Sequence, residues 1–132
     1  MQETATFSYA IEDLETILEM RIALRRWLAH VGLDTEAADD VVLAAWEVCV
    51  NAVEHAVEPH GGVTLVASRT RVGVRVAVQD FGTWRDERAP ERPRPGRGLG
   101  LRLATAVMDR VSILRDRPGT EVVMWRFTGG RA

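Results

Sequence analysis

The chain contains no lysine: all 17 of its basic residues are arginine, so no ammonium side chain can contact a phosphate. It has a single cysteine, Cys49, which excludes an internal disulfide. Set among Val48, Val50 and Ala52, that thiol reads as a small buried hydrophobe and not as a nucleophile. An excess of charge is missing too. The 17 basic and 19 acidic residues leave a net charge of −2, which argues against a generic nucleic-acid binder. No apolar run is long enough to span a bilayer, and no signal-peptide pattern follows Met1, so a cytoplasmic protein without membrane contact is expected. Internal repeats are absent. What is present is ordinary globular composition, 46% hydrophobic and 27% charged over 132 residues, which suits one domain spanning 1–132.

The periodicities predict an order of strand, helix, helix, two strands, loop, helix, two strands. Residues 3–10 alternate Thr4, Thr6 and Ser8 with Ala5, Phe7 and Tyr9, a strand pattern. A helix is expected over 11–32, packing Leu14, Ile17, Leu18, Trp27 and Leu28 into the core and ending near Gly32. Asp34 or Thr35 can cap the next helix, whose first turns carry Glu36, Asp39 and Asp40 where the helix dipole favours them. Pro59, Gly61 and Gly62 stop that helix. Residues 63–80 read as two strands with a turn near Arg69–Arg71. In the second, Val72, Val74, Val76 and Val78 share one face, and the same parity puts Asp80 there. Residues 81–98 are rich in charge, proline and glycine and read as a binding loop or lid. A helix from Leu99 and a closing hairpin around 117–120 complete the chain. Strands arriving mostly as hairpins, with helices between them, predict an antiparallel or mixed sheet covered by helices on one face.

The second helix raises a question. Glu47, Asn51 and His55 recur every four residues and form a stripe on an otherwise apolar helix. A carboxylate and a carboxamide in such surroundings need partners, since a buried amide without one costs a few kcal/mol. Either they border solvent or bond each other, or they line a ligand cavity, the amide oxygen serving a hard cation and the carboxylate acting as a base. Two other places favour the cavity. Asp80 lies on the core-facing parity of a valine strand, where a carboxylate needs a donor such as an exocyclic amine; alone, it would read as a turn former. Gly96, Gly98 and Gly100 open a helix, letting backbone amides approach phosphates. They do not make the dinucleotide fingerprint, because a long loop and not a strand precedes them.

Taken together and in this order, these elements resemble the GHKL (Bergerat-fold) ATPase superfamily over essentially the whole chain. The run from Glu47 through Asn51 to His55 is similar to its N box. Asp80-Phe81-Gly82 is similar to its first glycine box, Gly96 to Leu101 to its second, and Gly119-Thr120 to its last motif. Within the superfamily the pattern is most similar to the RsbW/SpoIIAB branch of anti-sigma-factor serine kinases. The resemblance implies an α+β, two-layer sandwich: a mixed, mostly antiparallel sheet covered on one face by three helices, with a flexible ATP lid at about 83–97. It implies ATP and Mg²⁺ as cofactors. Asn51 would hold the metal and Glu47 would be the catalytic base toward a serine hydroxyl. Asp80, Gly82 and Thr120 would receive the adenine, and Gly96, Arg97, Gly98, Leu99 and Gly100 the phosphates; His55 would only support. The implied partners are a sigma factor, a STAS-domain anti-anti-sigma factor and a second copy of the chain, with no direct nucleic acid. The lid is unusually rich in proline and arginine, and Thr83-Trp84 replaces a glycine that often follows the first box. Those departures resemble phosphatase-associated modules, and the alternative they imply is a non-catalytic nucleotide-binding regulatory module.

Overall fold

Alternation of small polar and larger apolar residues makes β1 (Ala5–Ile11) a strand, and its last residue, Ile11, is buried. The computed structural model describes residues 5–55, 62–80, 99–116 and 119–128. Helix α1 (Leu14–His30) begins three residues later than expected because Asp13 caps it. The Asp13 carboxylate accepts from the Thr16 N–H at 2.9 Å, and the Thr16 hydroxyl accepts from the Asp13 N–H at 3.0 Å. This reciprocal pair satisfies two amides that a helix start otherwise leaves unbonded. The buried face of α1 is Ile17, Met20, Leu24 and Leu28. Leu14, Leu18 and Ile22 fall on the outer side, more than 40% exposed, so the expectation that Leu14 and Leu18 pack into the core is corrected.

Asp34, and not Thr35, caps α2 (Thr35–His55): its carboxylate accepts from the Ala37 N–H at 2.9 Å. Strand β2 (Val63–Thr70) turns back through Arg71 and Val72 into β3 (Gly73–Asp80). The turn lies at the end of the expected segment and not at its centre, and Val72, expected on the apolar face, is 53% exposed within it. Gly73 is required there. It sits at φ +154°, and a Cβ would overlap the Arg126 carbonyl of the neighbouring strand. The chain continues with α3 (Leu99–Val107), β4 (Arg110–Asp116) and β5 (Gly119–Phe127).

The five strands take the order β1-β2-β3-β5-β4, and every described pairing is antiparallel. The mixed sheet allowed by the sequence is therefore not needed. Tight hairpins join β2 to β3 and β4 to β5, and a hairpin forces neighbouring strands to run in opposite directions. Alternate residues of β2, β3 and β5 (Leu65, Val76, Val78 and Met124 among them) meet Met20, Leu24 and Leu28 of α1 and Val41, Ala44 and Val48 of α2 in one core. Each fully buried Leu, Val or Met there contributes about 1.5–3 kcal/mol of apolar burial. Arg69 fastens the layers together. Its Nε donates to the Val31 carbonyl at the end of α1, and its Nη1 donates to the Thr70 carbonyl of its own strand.

Candidate functional site

The valine parity holds. Val74, Val76 and Val78 are essentially fully buried, and Asp80, next on the same face, is 2% exposed. Across the β3–β5 ladder Asp80 lies opposite Thr120, which is 6% exposed. Among the described residues these are the two buried polar side chains of the protein. Residues directly opposite on an antiparallel pair bring their Cβ atoms to about 5 Å, so the carboxylate and hydroxyl belong to one small locus. On its other side Asp80 pairs with Val63, the first residue of β2.

The direction of α2 relates the polar stripe to that locus. Asp40, near the start of α2, is ion-paired with Arg126 near the far end of β5, at 3.0 Å. From this pin, a rise of about 1.5 Å per residue carries α2 some 16 Å to Asn51. Six strand residues at about 3.3 Å each separate Arg126 from Thr120, about 20 Å. Helix α2 also packs on β2, β3 and β5, and after it ends at His55 the chain re-enters the sheet at Val63, beside Asp80. From the Asp40–Arg126 pin, therefore, the C-terminal half of α2 runs toward the Asp80–Thr120 end of the sheet. Glu47 and Asn51 are half-buried on it, while Ala44, Ala45, Val48, Cys49 and Ala52 are buried around them. Apolar burial raises the Cys49 thiol from 9.0 to about 12, so it stays protonated and unreactive, as its neighbours in the sequence imply.

Helix α3 packs along α2. Leu99 and Gly100 lie in its first turn, and backbone alone is described for them. Gly82, Gly96, Arg97 and Gly98, with the whole expected lid, lie outside the described residues, as does the side chain of His55. An open depression beside α3, lined by Leu101, Arg102, Thr105 and Ala106, shares no residue with the polar locus and offers no acid or base. Among the described residues no three His, Cys, Asp or Glu side chains gather into a metal site.

One feature escaped the sequence reading. The Arg126 guanidinium bonds Asp40 and also lies 3.7 Å from the Asp109 carboxylate, which itself accepts from the Phe127 N–H at 2.7 Å. Arg126 therefore ties α2 and the α3–β4 corner to β5. Its signal was available: Val122, Met124 and Arg126 share the inward parity, so an arginine there needs an acidic partner. Among the described residues no helix is long and apolar enough to cross a membrane.

Known proteins are similar to this chain in sequence or in fold. The chain is similar to the serine-protein kinase RsbW of Bacillus mycoides (strain KBAB4), at 27% identity over 86% of this chain and 78% of that protein. Its fold is shared with the crystal structure of the RsbU and RsbW domains of Rv1364c from Mycobacterium tuberculosis. There the TM-score is 0.72 and the identity 24%, over 95% of this chain but only 32% of that longer one. The fold also recurs in the SiaB–SiaC complex from Pseudomonas aeruginosa, with a TM-score of 0.63 and 18% identity over 93% of this chain and 88% of that one. The model of the histidine kinase-like ATPase domain matches residues 11–126, nearly the full span from the end of β1 to the end of β5, and the chain belongs to that family.

Proposed function

We infer that this chain is an ATP- and Mg²⁺-dependent serine-protein kinase and anti-sigma factor, which phosphorylates a STAS-type anti-anti-sigma partner and self-associates as a homodimer. The observation that supports this reading is the buried Asp80–Thr120 pair, with Glu47 and Asn51 half-buried on a helix that packs on the same strands. Membership of a histidine kinase-like ATPase family and similarity to an RsbW kinase support it.

Each residue has a task that its chemistry suits. Asp80 accepts from the exocyclic amine of adenine, and Thr120 offers a hydroxyl that both donates and accepts. Asn51 presents a neutral oxygen, suited to a hard cation. Glu47, one turn earlier, takes the proton of an incoming serine hydroxyl. Gly82 leaves room for the base, and Gly96, Arg97, Gly98, Leu99 and Gly100 receive the phosphates. When bound, MgATP supplies the phosphoryl group and neutralises its developing charge. A chain without lysine can hold phosphates through backbone amides and arginine alone.

The test is phosphotransfer from labelled ATP to the cognate STAS protein, alongside ATP binding by calorimetry. Transfer that survives Glu47→Ala unchanged overturns the role given to Glu47. A second reading, a non-catalytic nucleotide-gated module, draws on the likeness to an RsbW domain that shares its chain with an RsbU domain. It is distinguished by ATP binding that needs Asp80 and Asn51 but is followed by no transfer.

A further inference from the structure

The helices pack on one face of the sheet, and the other face carries a row of unlike side chains. Arg75 of β3 and Arg110 of β4 both lie directly opposite Trp125 of β5, one on each side. Their parity is opposite to that of Val74, Val76 and Met124, so all three project away from the core. Phe127, two residues further along β5, shares that face. Its ring lies 5.7 Å from that of Trp125, is capped by the Arg110 guanidinium at 5.9 Å, and remains 41% exposed. Among the described residues the ion pairs engage Arg25 and Arg126, and none engages Arg75 or Arg110. Asp109, next to Arg110 in the chain, is committed to Arg126 and the Phe127 N–H. In the other direction along β5 the face continues through Ala77 and Val123 to Glu121.

We propose that this open face docks an acidic protein segment, whose carboxylates meet Arg75 and Arg110 while an apolar side chain between them seats on the Trp125 and Phe127 rings. Strands lie about 4.8 Å apart, so the two arginines rise from backbone positions roughly 10 Å apart with the indole between them. Two like charges flank the ring without a carboxylate, and an anionic partner supplies the complement. A guanidinium holds a carboxylate through two parallel hydrogen bonds and keeps its charge throughout the physiological pH range. Tryptophan and arginine are also the side chains enriched at the anchoring points of protein interfaces. A polyphosphate strand fits less well. Glu121 on the same face and a net charge of −2 interrupt the positive track that single-stranded nucleic acid follows. The row lies on the opposite face of the sheet from Asp80 and Thr120, so docking there stands apart from the nucleotide reading.

The test titrates the full, isotopically labelled chain with a synthetic peptide, acetyl-Asp-Glu-Leu-Phe-Glu-Asp-amide, and follows backbone and indole N–H shifts by NMR. The shifts are expected to saturate and to centre on Arg75, Arg110, Trp125 and Phe127. Arg75→Glu combined with Arg110→Glu, checked for folding by circular dichroism, is expected to raise the peptide's dissociation constant at least about tenfold. Arg26→Glu combined with Arg102→Glu makes the same change in net charge at exposed positions on α1 and α3. That control is expected to stay within about twofold of the unaltered chain, because long-range attraction is screened at physiological salt. A peptide that does not bind, shifts that centre elsewhere, or equal weakening by the two double variants overturns the docking surface. An oligothymidylate that binds the same row more tightly than the peptide puts nucleic acid in place of the protein segment and overturns the proposal as well.

Discussion

Asp80 and Thr120 stand opposite each other on neighbouring strands, both buried, at one end of the sheet. A carboxylate and a hydroxyl so placed can share the edge of one ligand. The carboxylate can only accept when ionised, while the hydroxyl can do either.

Asp80→Asn keeps the shape of that locus but replaces an ionised acceptor with an amide. Hydrogen bonds to charged groups contribute about 1.5–3 kcal/mol, so the ATP dissociation constant should rise by at least about tenfold. Calorimetric titration of the folded variant measures it; unchanged affinity would place the base elsewhere.

Glu47 and Asn51 should separate by readout. Glu47→Gln is expected to leave ATP affinity within about twofold while phosphotransfer falls by about 10²–10⁴, the usual contribution of a general base. Asn51→Ala should lower affinity only when Mg²⁺ is present, so that titrations with Mg²⁺ and with a chelator converge. A variant that still gains affinity from Mg²⁺ removes Asn51 from the metal site.

Arg126 is 22% exposed and joined to Asp40, itself 27% exposed, so the pair is shielded from solvent more than a surface salt bridge. Arg126→Met should cost about 1–3 kcal/mol in urea denaturation, because it leaves two carboxylates without their guanidinium. Combining it with Asp40→Asn should cost less than the sum of the single changes. Additive losses would show that the pair does not hold α2 in place.

Cys49 should be silent toward a thiol reagent at neutral pH in the folded protein and react once the chain unfolds. Its folded pKa, about 12, lies above the unfolded value of 9.0. Folding therefore favours the protonated thiol, and this contribution is intact below pH 9. It declines as pH rises from 9 towards 12, where the unfolded chain binds fewer protons. Cys49→Ala should flatten that part of the stability–pH curve in denaturant titrations, and an unaltered slope would show that burial does not act on the thiol.

Much of the candidate site's geometry was legible because its signals are local. Parity along Val74, Val76 and Val78 carried Asp80 to the buried face, and a spacing of four put Glu47 and Asn51 on one side of a helix, whatever lay around them. Local chemistry also marked most of the element order, since glycine or proline interrupts the chain after α1, after α2, between the hairpin strands and before α3. Where two helical faces are both apolar, periodicity cannot choose between them. Leu14 and Leu18 repeat as regularly as Ile17, Met20, Leu24 and Leu28, yet only the second set meets the sheet. The absence of charge in β1 could be read from composition, but that β1 is an edge depends on which strands pair.

Sequence alone determined the residue types, their faces and their order, because backbone geometry imposes periods of 2 and 3.6 on any chain. Tertiary structure decided which of those faces meet. The register of β3 with β5 put Thr120 opposite Asp80 across forty residues of chain, and the Asp40–Arg126 pair fastened one end of α2 to β5. Pairing and packing between distant segments depend on the whole set of competing contacts, and no window of sequence contains that set.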